Sequence, residues 1–134
     1  MGEIKLLDCT LRDGGYLNDW KFGTKAIVNI FERLVSAGID IIELGFLNDN
    51  RKYDIERTIM PGTEGLDQIY GNLHKRDTMT VAMVDYGTCD LGQIKPCSET
   101  CIDGIRVIFK EKIMHDALEY CQSIKNLGYK VFVQ

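Results

Sequence analysis

The chain has 134 residues, 45% of them hydrophobic and 27% charged, and a formal net charge of -4. This is the size of one ordinary domain with enough apolar content to pack a core, which excludes a disordered chain. The acidic balance argues against a nucleic-acid partner, which needs clustered Lys and Arg, and no run is long and apolar enough to cross a bilayer.

In chain order, "IKLLDC" (4–9) is short and apolar and reads as a buried strand. "TKAIVNIFERLVSAG" (24–38) reads as a helix, because Ile27, Ile30, Phe31 and Leu34 share one face. Thr24 is an N-cap residue type, and Gly38 stands where a helix end takes a left-handed residue. "DIIELGF" (40–46) is the second strand, followed by a long polar loop. "EGLDQIYGNLHKR" (64–76) is a weaker helix interrupted by Gly71, and "TMTVAMVD" (78–85) is the third strand. Residues 86–101 form a loop with a helical turn around Leu91–Lys95. "DGIRVIFK" (103–110) is the fourth strand and "KIMHDALEYCQSIKNLG" (112–128) a helix with Ile113, Ala117, Cys121 and Ile124 on one side. "YKVFV" (129–133) is the fifth strand. Strands alternating with helices predict an α/β fold with a parallel sheet, since parallel neighbours need a crossover.

The start, "MGEIKLLDC", has no basic segment leading into an apolar stretch, so no secretory signal is expected. The cysteines Cys9, Cys89, Cys97, Cys101 and Cys121 are odd in number and spread through the chain, which fits reduced thiols in a cytoplasmic protein. Cys97 and Cys101 form a CxxxC pair, but no second Cys or His pair completes a metal set. His74 and His115 likewise have no ligand partner at useful spacing and read as surface or structural residues.

Side chains alternate along a strand, so Ile4, Leu6 and Asp8 are expected to share a face, as are Ile41 and Glu43. Val81, Met83 and Asp85 form the third set, and Arg106, Ile108 and Lys110 the fourth. Each face turns charged towards its C-terminal end, except that Arg106 comes sooner, and that end is where parallel α/β folds place their sites. A plain ion pair between Arg106 and Glu43 accounts for part of this pattern.

Just past the first strand stands Arg12-Asp13-Gly14-Gly15. A carboxylate there can hold a divalent metal, and an arginine can stabilise an oxyanion because it stays ionised. The glycines are expected to make a sharp turn that approaches a ligand. Together these groups suit enolate chemistry, with a metal polarising a carbonyl.

The stretch "LLDCTLRDGGY" resembles the first-strand signature of the DRE-TIM metallolyases, a superfamily of 4-hydroxy-2-oxovalerate aldolases, HMG-CoA lyases and isopropylmalate synthases. Its wording is nearest the aldolase branch. "AGIDIIELGF" and "DGIRVIFK" resemble the second and fourth strands of that family. The resemblance implies that residues 1–134 form the N-terminal half, about five βα-type strands, of a TIM (β/α)8 barrel. A whole barrel needs about 250 residues.

By position, the resemblance implies Asp13 as the metal ligand, Arg12 as the enolate-stabilising residue and Glu43 as an acidic residue near the metal. Mn or Mg is the implied metal, with Zn or Co as further options. In the hydroxy-oxovalerate aldolases a histidine four residues after the arginine serves as base; here Tyr16 stands there and is the candidate at that position. The implied activity is a metal-dependent aldolase or lyase acting on C–C bonds of a 2-oxo acid or acyl substrate. The alternatives are a Claisen-type acyltransferase and a non-catalytic half-barrel that oligomerises. The family's His-x-His pair is not present in these residues, so the expected partner is a missing C-terminal barrel half or a second copy.

Overall fold

The computed structural model describes residues 2–134. Six strands form one sheet: β1 (Leu7–Asp8), β2 (Ile41–Leu47), β3 (Ile59–Met60), β4 (Met79–Asp85), β5 (Gly104–Ile108) and β6 (Lys130–Val133). Their order is β1-β2-β4-β5-β6, with β3 beside β2, and every pairing is parallel. The helices are α1 (Thr10–Asp13), α2 (Gly15–Asn18), α3 (Thr24–Ser36), α4 (Thr63–Tyr70) and α5 (Met114–Asn126). This is an α/β fold with the architecture of a half-barrel.

The long helices cover one face of the sheet. Ile27, Phe31 and Val35 of α3 are buried, as are Ala117, Cys121 and Ile124 of α5. All of these but Ala117 pack with Leu44, Val84 and Val107 in the main core. Residues at helical spacing meet alternate residues of strands, so the two periods seen in the sequence close on one apolar layer. Both helix-to-strand joints end on a left-handed glycine, Gly38 (φ 76°) and Gly128 (φ 98°). The other face carries a small cluster of Trp20, Phe46, Ile59 and Met83, together with the charged side chains of Glu43 and Arg106.

Several local expectations change. The first strand is confined to Leu7–Asp8, and its apolar residues are not buried: Ile4 is 88% and Leu6 62% exposed. The cause is its edge position, with β2 on one side and no strand on the other. Asp8 also lies on the opposite face from Glu43. Leu7 pairs with Ile41 and Asp8 with Ile42, so parity puts Leu7 on the Glu43 side. Leu6 N–H donates to Asp40 Oδ2 (2.8 Å), and Ile41 N–H donates to Leu6 O (3.0 Å), which fixes that register.

Thr24 is the first residue of α3 and not its cap; its Oγ1 donates to Glu56 Oε1 (2.8 Å). The weaker helix stops at Tyr70, leaving His74 exposed in the loop beyond. Ile113 precedes α5 in a short turn and is exposed. Lys110 lies past the end of β5. Among the described residues, no helix is long and apolar enough to cross a membrane.

Candidate functional site

The site begins where β1 becomes α1. The Asp8 carboxylate accepts from Thr10 N–H (2.9 Å) and Thr10 Oγ1 (3.1 Å), which favours a helical turn directly after the strand. Leu11 is fully buried and anchors that turn in the core. The backbone is then held from two sides. Thr58 Oγ1 donates to Leu11 O (2.6 Å), and Trp20 Nε1–H donates to Arg12 O (2.8 Å).

Arg12-Asp13-Gly14-Gly15 is therefore helical and not a sharp ligand-approaching turn, with Gly14 at φ -59°, ψ -21°. The physical need for glycine at position 15 is the Trp20 indole. A Cβ on Gly15 would stand 1.9 Å from Trp20 Cδ1.

The Arg12 side chain crosses to the charged face of the sheet. Its Nε donates to Glu43 Oε1, and its Nη1 donates to Asp13 Oδ1 (2.8 Å). Glu43, in the middle of β2, is 0% exposed. It also takes a two-pronged contact from Arg106 of β5: Nε to Oε2 (2.7 Å) and Nη2 to Oε1 (3.0 Å). Arg106 Nη1 donates in turn to Gln134 Oε1. One buried carboxylate thus serves two guanidinium groups. Burial works against the charge on Arg12, but the hydrogen bond to Glu43 and its negative charge outweigh it and push the pKa of Arg12 up.

A cleft of about 460 Å³ opens at the C-terminal ends of the strands, lined among others by Arg12, Asp13, Asp85, Arg106, Lys110 and Gln134. Among the described residues, Arg12 Nη2 has no protein partner, and neither do Asp13 Oδ2 or the Asp85 carboxylate. Lys110 has no carboxylate within salt-bridge distance among them. The cleft therefore offers a fixed arginine edge, two oxygen-donor carboxylates and a free ammonium.

The sequence-derived candidates divide. Arg12, Asp13 and Glu43 are brought together. Tyr16 is not: it is 59% exposed, is absent from the cleft lining and sets its ring edge-on to Trp20, with 4.8 Å between centroids. Arg106, Asp85 and Lys110 stood in the strand-face pattern and were open to a simple ion-pair or solvated reading. Gln134 gave no signal, since only the register of β6 brings it beside Arg106.

The donor set can be matched to a divalent cation. Asp13 could supply a hard oxygen ligand, and neither His nor Cys lines the cleft. This chemistry fits Mg or Mn, which take one or two carboxylates and complete their shell with water and substrate oxygens. His115, Asp116 and Glu119 gather on the exposed face of α5, and none of them lines the cleft. The cysteines are all free. Burial pushes the Cys89 and Cys101 thiols up to about 12, so neither is a thiolate at neutral pH.

No protein-family model matches the chain, and no curated protein matches it. Among solved structures it is similar to one described as "the N-terminal domain of a putative aldolase from Bacteroides vulgatus", with a TM-score of 0.63 and 24% identity. The match covers 97% of this chain and 44% of that one, so the chain spans less than half of that protein's length. At this identity the likeness concerns the fold, and it agrees with the half-barrel architecture.

Proposed function

We propose that this chain carries the N-terminal part of a divalent-metal-dependent aldolase or lyase that acts on 2-oxo or acyl substrates through an enolate. The observation that supports this reading most is the state of Arg12. Its Nε and Nη1 sides are occupied by Glu43 and Asp13, while Nη2 has no partner among the described residues and belongs to a residue that lines the cleft. A guanidinium immobilised in this way is pre-aimed, so stabilising a developing oxyanion costs little reorganisation.

In this proposal Arg12 donates to the enolate oxygen, and Asp13 holds the cation through its free oxygen. Bound there, Mg or Mn would supply Lewis-acid polarisation of the substrate carbonyl. Asp85 is the cleft carboxylate available to take a proton, because Tyr16 sits outside the lining. Described protein ligands to the cation are few, so substrate oxygens would complete its shell.

The test, made on the whole protein of which this chain is proposed to be the N-terminal part, is the half-reaction that needs no second substrate, exchange of the methyl protons of pyruvate with D2O in the presence of Mg, followed by NMR. Exchange is expected in the wild type, abolished by EDTA and lowered roughly 10²-fold in Arg12→Lys, the scale of losing an oxyanion donor. Equal exchange in Arg12→Lys would overturn the role given to Arg12. Exchange in acetyl-CoA and not in pyruvate would favour a Claisen-type acyltransferase.

One further observation favours a second reading. The outer sides of β1 and β6 are unpaired, and Ile4, Leu6, Leu7 and Val133 beside them are exposed. In that reading the half-barrel associates through its edges with further strands, from a second copy or from a complementary half.

A further inference from the structure

We infer that Arg106 is a positioning residue for Arg12, acting through the buried carboxylate of Glu43. The inference rests on the enolate reading for its catalytic consequence, but its geometry stands independently. Glu43 has four lone-pair directions at most, and three are directed by guanidinium N–H groups. Two of those contacts come from Arg106 as a planar fork, and a fork fixes the carboxylate plane as a single contact cannot. Arg12 reaches Glu43 through Nε alone, so the direction of its bond is set by how Arg106 holds the acceptor.

Arg106 is itself braced at a third point by Gln134. That residue is tied to the sheet through its backbone, with Gln134 N–H on Val107 O (3.1 Å) and Phe109 N–H on Gln134 O (3.1 Å). The order of support therefore runs from the end of β6, through Arg106 and Glu43, to Arg12 at the cleft. No apolar or amide side chain at position 106 reproduces this, since only a guanidinium presents two parallel donors to one carboxylate. A lysine keeps the charge but meets Glu43 as a point, leaving the carboxylate plane free to turn.

The experiment compares wild type, Arg106→Met and Arg106→Lys by two readouts. The first is the Nε–H resonance of Arg12 in the 15N spectrum, assigned by its loss in Arg12→Lys. The second is Mg-dependent methyl-proton exchange in pyruvate by the same whole protein. In the wild type the Nε–H is expected to exchange slowly with solvent. In Arg106→Met it is expected to shift and lose protection, with kcat for exchange falling on the order of tenfold or more. The effect is expected in kcat more than in KM, because Arg106 directs its donors to Glu43 and Gln134.

Arg106→Lys is expected to restore stability better than it restores either readout. If Arg106→Met does not fold, the lysine variant decides on the same two measurements. An unchanged Arg12 Nε–H in a folded variant overturns the inference, as does full recovery of both readouts by lysine. Absence of exchange in the wild type would sink the enolate reading, while the Nε–H resonance would still decide the positioning role.

Discussion

Trp20 adopts left-handed backbone angles (φ 58°), as does Asp19 before it (φ 54°). The cost of that conformation is offset locally. Arg57 Nη1 donates to Asp19 O (2.6 Å) and Asp19 Oδ2 (2.8 Å), and Arg51 pairs with the same carboxylate at 3.0 Å. The indole so delivered rests on Gly15, lies tilted against Phe46 with 5.7 Å between ring centroids and holds the carbonyl of Arg12. Gly15→Ala is therefore expected to displace the indole and destabilise the fold by roughly 1–3 kcal/mol, the usual cost of overpacking. Urea unfolding measures the loss. Because the chain has 1 Trp, a red-shifted native fluorescence would report the displacement directly. Unchanged stability and emission would mean that the indole is not pressed on Gly15.

At the scale of elements, the placement of α1 depends on one buried hydroxyl. Thr58, 0% exposed, precedes β3 and bonds the carbonyl of Leu11, while its own N–H donates to Trp20 O (3.0 Å). Thr58→Val keeps the shape and leaves the Leu11 acceptor without that donor, so a loss of about 1–3 kcal/mol is expected in chemical denaturation. A loss below a few tenths of a kcal/mol would show that α1 is held by Leu11 packing alone. These elements also show what the sequence could reveal. Long helices and β2, β4 and β5 were legible because each carries an apolar period that one sheet face satisfies. β3 was not, since Ile59–Met60 lies in a polar stretch and is a strand only because β2 is beside it. The helical form of Arg12–Gly15 was hidden for a similar reason. Two adjacent glycines signal a turn locally, and it takes Trp20 from further along the chain to choose a helix. The meeting of Glu43 with Arg106 was readable from strand parity, whereas the face of Asp8 was misjudged because a two-residue edge strand has no pattern to set its register.

Across the whole molecule, the sheet has two free margins, and both carry exposed apolar side chains. Unpaired edges of this kind template further pairing. Sedimentation velocity at tens of micromolar is expected to show species heavier than a monomer, with Leu6→Lys shifting them towards monomer by placing a charge on the β1 margin. A single monomeric boundary at every concentration would overturn association through the edges. The contact between Glu43 and Arg106 bears on the same sheet in another way. β2 and β5 are not neighbours; β4 runs between them, so the two side chains bridge a gap of about 10 Å between strand axes. Their bond acts as a tie-rod over β4, holding β2 and β5 at one separation. Cutting the rod at Arg106 would free β2 and β5 to move apart and would leave the arginine at the cleft without a fixed acceptor.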